Sequence, residues 1–128
     1  MTHRLVDISL QERKRVAGLA RSPKCRISAS SAQRPCRWDP AATLSEGGFS
    51  HTHPGAWARI AEHLESGGQV YATELDRPPG LTAYVIFLEP TQRWRGIYIK
   101  FELTHPGIYG RSFHHPDHPV LEIITENT

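Results

Sequence analysis

Cysteine is scarce in this 128-residue chain: Cys25 and Cys36 are the whole complement. Two cysteines are too few for the disulfide framework of a small secreted protein. Long apolar runs are missing too, and none approaches the ~20 residues that a membrane-spanning helix needs. The opening Met-Thr-His-Arg-Leu lacks the apolar core of a secretory signal. The expectation is a cytoplasmic protein with no membrane partner. No internal repeat is evident, which excludes a solenoid. Net charge is a modest +2, so the protein is not globally basic as many nucleic-acid binders are.

What charge there is lies unevenly. Residues 1–48 hold nine Lys/Arg and four Asp/Glu (+5), whereas 49–128 hold six and nine (−3). A basic front half suits an anionic partner, RNA above all, although a solvated tail would look the same. Apolar content of 38% and charged content of 22% are ordinary for one globular domain.

The spacing of Leu5, Ile8, Val16 and Leu19 hints at a helix, capped by Ser9 and ending near Ala20. Residues 21–52 are broken by Ser, Pro, Gly and Thr and show no period. Residues 1–52 are therefore expected to form a basic, largely irregular arm, with Trp38 and Phe49 as the residues through which it could fold against the domain, and 53–128 a compact domain. Thr52-His53-Pro54 is a sound helix start. Trp57, Ile60, Ala61 and Leu64 then fall on one stripe, and Gly67-Gly68 ends the helix. Gln69 to Leu75 and Leu81 to Leu88 read as strands, and Val120 to Thr125 as a short edge strand or docking tail. The predicted fold is α+β: one or two helices packed on a meander of about four antiparallel strands.

The most informative stretch is Ile97 to His114. Ile97, Ile99, Phe101 and Leu103 alternate with Tyr98, Lys100 and Glu102, which marks a half-buried strand. A second strand begins at Ile108. A three-residue loop, His105-Pro106-Gly107 with Gly107 left-handed, would set Lys100 opposite Ser112 and Tyr98 opposite His114. Tyr98, Lys100, Glu102, Ser112 and His114 would then share a polar face. Tyr109, Phe113 and Arg111 would join the apolar one. A loop one residue longer would exchange the faces of the second strand.

The segments Gly68-Gln69-Val70, Ile97-Tyr98-Ile99-Lys100 and Ser112-Phe113-His114 resemble, across about residues 54–115, the layout of the MqsR-type toxins. These belong to the RelE-like group of mRNA-cleaving proteins. The resemblance implies a RelE-like ribonuclease architecture, an RNA substrate and an antitoxin protein as partner. It places the functional tyrosine on Tyr98 and a catalytic position on His114, where the toxins carry lysine. It implies metal-independent cleavage, in which the ribose 2′-OH attacks the adjacent phosphate and no cofactor takes part. Tyr98, His114 and Lys100 are the catalytic candidates. Arg111 and Ser112, together with Arg93, Trp94 and Arg95 in the preceding turn, are the substrate-binding candidates. Cys25/Cys36 and His114/His118 do not make a convincing zinc pattern, so no metal is expected. A strand's solvent face also carries such residues with no function, and the alternative is a non-catalytic binding module.

Overall fold

The computed structural model describes residues 3–104 and 107–117. Val120 to Thr125, read as an edge strand or tail, lies outside them.

Helix α1 spans Leu10–Arg21 and α2 spans His53–Glu65. Both start as the sequence suggests. The Ser9 hydroxyl accepts the Glu12 amide, and the Thr52 hydroxyl accepts the Gly55 amide with proline in the first turn. The helices pack on each other and on one face of a mixed sheet that has seven strands among the described residues. Its strands are β1 (Arg4–Val6), β2 (Arg26–Ile27), β3 (Arg37–Trp38), β4 (Val70–Glu74), β5 (Thr82–Leu88), β6 (Ile97–Leu103) and β7 (Ile108–His114). The order is β1-β4-β5-β6-β7-β2, with β3 also on the outer side of β7. The antiparallel meander β4 to β7 is the predicted one. β1 adds an antiparallel edge, and β2 and β3 run parallel to β7. The protein is α+β, with three more strands than the sequence suggested.

Those three strands come from residues 1–52, and the expected irregular arm is instead part of the domain. β2 and β3 are two residues each, too short for any period to register, and they hold by pairing with β7. Trp38 stacks near Trp57 at 4.6 Å between ring centroids and contacts Phe113 at 5.4 Å. Its ring lies on Gly110, where a Cβ would stand 2.6 Å from the indole. The helix-side core is Val16, Ala20, Trp57, Ile60 and Leu64 against Ile86, Ile97, Ile99, Phe101, Ile108 and Phe113.

The β6–β7 hairpin holds two departures that cancel. Thr104 and Gly107 exchange backbone hydrogen bonds of 2.8 and 2.7 Å, and Leu103 pairs with Ile108. The loop is therefore two residues, one fewer than expected. A side chain at Gly107 would overlap the Cys25 carbonyl. On its own this register would have turned His114 to the apolar face. A bulge between Lys100 and Phe101 restores it: Phe101 faces Gly110, yet Lys100 faces Ser112 and Tyr98 faces His114. The extra residue is Arg111. It leaves the apolar face predicted for it and bonds Glu102, and Tyr109 moves across as well, to sit opposite Glu102.

Candidate functional site on the second face of the sheet

The face away from the helices carries Tyr98, Lys100, Glu102, Tyr109, Arg111, Ser112 and His114. It is not an open polar surface, because three chain segments cross it. At one end His3, 5% exposed, covers Phe87 and Tyr98. In the middle the β4–β5 turn brings Asp76 and Arg77 over the sheet. The segment leading into β3 lays Arg34, Pro35 and Cys36 beside it.

Tyr98 sits beneath His3. Its hydroxyl and His3 Nε2 are 3.0 Å apart, and burial pushes the phenol far above its ordinary range. His114 stacks on the Tyr98 ring, with centroids 5.3 Å apart and planes 28° apart. His114 Nδ1 is 2.8 Å from the His115 carbonyl, to which it can only donate, so Nε2 carries the lone pair of the neutral ring. Burial holds His114 below the usual histidine range, opposed by the same carbonyl. The imidazole is thus half-buried, oriented and poised to accept a proton.

The bulge builds a charged centre. Glu102 and Arg111 are 2% and 4% exposed. Arg111 Nη1 donates to Glu102 Oε2 at 2.9 Å, its Nε to the Pro35 carbonyl at 3.1 Å, and its Nη2 to the Arg77 carbonyl at 2.5 Å. Arg34 Nε donates to the other Glu102 oxygen at 2.7 Å. Every strong acceptor in the cluster is used, which is what burying a carboxylate requires.

Lys100 is half-buried and, among the described residues, makes no hydrogen bond or ion pair. Burial and the Arg111 charge draw its ammonium below the usual lysine range, while Asp76 pulls the other way. A cavity of about 360 Å³ opens here, lined by Pro35, Leu75, Asp76, Arg77, Lys100 and Arg111. His114 does not line it. Lys100 and His114 are diagonal neighbours across the strand pair, about 7–8 Å apart by general sheet geometry.

The turn residues divide. Arg93 and Arg95 are exposed. Trp94 is not the open stacking platform proposed from sequence. It is 9% exposed, its indole N–H donates to the Leu44 carbonyl at 2.6 Å, and the Arg59 guanidinium lies 5.6 Å from its ring centroid. Among the described residues, no three His, Cys, Asp or Glu side chains gather where a metal ion could be held. No helix among them is long and apolar enough to cross a membrane.

The pairing thus brings Tyr98 to His114 and Lys100 to Ser112 and Arg111, while Arg93, Trp94 and Arg95 stay outside the pocket. His3, Arg34 and Asp76 were missed. Their positions depend on long-range pairing and left no local signal. No protein-family model, curated protein or solved structure matches the chain.

Proposed function

We propose that this face binds RNA and that the protein is a cytoplasmic, metal-independent endoribonuclease of the RelE-like toxin kind, restrained by an antitoxin protein. The observation that carries the reading is an oriented histidine, held toward its neutral form by burial, on the same strand pair as a half-buried lysine that has no partner among the described residues. His114 Nε2 takes the proton of a ribose 2′-OH as that oxygen attacks the neighbouring phosphorus. The ammonium of Lys100 stabilises the charge growing on the phosphoryl oxygens. Its lowered proton affinity also fits it to protonate the departing 5′-oxygen. The P–O5′ bond breaks, leaving a 2′,3′-cyclic phosphate and a 5′-hydroxyl. Tyr98 does not transfer a proton in this scheme. Its desolvated hydroxyl is held by His3, and its ring fixes the plane of His114.

The test is cleavage of RNA, free and ribosome-bound, with EDTA present. His114→Ala should lose about 10²–10⁴-fold in rate, the usual share of general acid–base catalysis. Undiminished cleavage by that variant would remove the mechanism. No cleavage by the parent protein on any RNA would favour the second reading, a non-catalytic module. That alternative draws on the three segments covering the face.

A further inference from the structure

We propose that the 360 Å³ cavity is a base-recognition pocket for guanine in the RNA ligand, an inference that rests on the RNA reading above. Lys100 and Asp76 line the same cavity and feel each other's charge, yet form no ion pair within 4 Å among the described residues. Neither makes a hydrogen bond to any described residue, so a carboxylate and an ammonium face one space without neutralising each other. Arg111 supplies a second cation, held by its bonds to the Pro35 and Arg77 carbonyls and to Glu102. Pro35 and Leu75 add apolar wall, and the volume falls within the range of small-ligand pockets.

Guanine has the matching edges. Its N1–H and N2–H₂ lie side by side and suit one carboxylate, as two parallel N–H donors do in any bidentate pair. Its O6 and N7 are adjacent acceptors, the pattern that lysine and arginine read. Adenine and cytosine each offer one amino donor flanked by a ring-nitrogen lone pair, which a carboxylate repels. Uracil offers a single N–H. The cavity therefore selects guanine by two donors toward Asp76 and two acceptors toward Arg111, which leaves the Lys100 ammonium for the phosphate. Lys100 lines the cavity and its position on β6 is diagonal to His114 on β7, so the guanosine bound here adjoins the scissile phosphate.

The experiment is calorimetric titration of the full chain with 3′-GMP, 3′-AMP, 3′-CMP and 3′-UMP, repeated on Asp76→Asn, an isosteric change at an exposed position. 3′-GMP should bind about 5–100-fold tighter than the others, the discrimination that one good bidentate pair gives. Asp76→Asn should erase that preference. A short guanine-bearing RNA should compete with 3′-GMP, and cut sites should map to a fixed position relative to guanine. Equal affinity for all four nucleotides would overturn the guanine pocket and leave the RNA reading standing. A preference that survives in Asp76→Asn, or RNA that fails to compete, overturns it as well. Guanine-selective binding and competition without cleavage would uphold the pocket while removing the catalytic reading.

Discussion

His3 and Tyr98 lie 95 positions apart in the chain, and their side chains meet at 3.0 Å beneath the surface of the second face. The contact closes one end of the sheet and takes the phenol out of water. Tyr98 should therefore stay protonated well above the ordinary tyrosine value of 10. Because the unfolded chain releases this proton first, the contribution is complete below pH 10 and is lost as pH rises beyond it. Tyrosinate absorbance during alkaline titration should show one tyrosine ionising only as the fold is lost. Tyr98→Phe should remove that phase. A tyrosine titration with no such phase in the parent would contradict the burial.

The Glu102–Arg111 pair predicts an asymmetry between single and double replacements. Glu102→Gln leaves Arg111 buried without its counter-charge, a loss of roughly 3–5 kcal/mol; Arg111→Met leaves Glu102 its second guanidinium, Arg34, and should cost less. Replacing both should cost less than the sum of the two. Urea denaturation of the three variants supplies the cycle, and strict additivity would show that the pair does not act as a unit.

Residues 1–52 should be indispensable for folding. A chain beginning at Thr52 loses α1, Trp38 and the strands along both edges, and should melt far below the full protein or aggregate. Gly110→Ala forces a methyl into the Trp38 ring and should cost about 1–3 kcal/mol, the usual range for overpacking. A truncated chain with the parent's melting temperature, or an innocuous Gly110→Ala, would show that Trp38 does not dock as described.

Three histidines predict an acid-sensitive fold. Burial holds His51, His63 and His114 below the ordinary 6.5. The unfolded chain then binds protons that the native protein refuses, so stability is complete above that value and falls as pH drops through it. Urea midpoints at pH 7 and pH 5 should differ in that direction. If cleavage uses His114 as base, its rate should persist to lower pH than an ordinary histidine allows. A midpoint that rises on acidification would reverse the sign and refute the burial argument.

Both helices and the four-strand meander were legible because their signals are local. Ser9 and Thr52 cap the turns that follow them, Trp57 to Leu64 mark a stripe, and Ile97 to Leu103 alternate without interruption. The pairing of Tyr98 with His114 was also reached from sequence, but through a loop that is one residue shorter than supposed. The bulge at Arg111 compensates, and nothing in the local pattern announces it. It forms because Glu102 offers a buried carboxylate that a guanidinium can satisfy only from that side of the sheet. The same holds for the front of the chain. Two-residue strands have no period, and their stability comes from a β7 edge and a Trp38 ring fitted to Gly110. Capping and alternation are energies between neighbours in sequence, so the chain carries them openly. Which segments cross the second face, and hence which side chains share its pocket, depends on contacts between distant residues whose free energy exists only once the sheet has assembled.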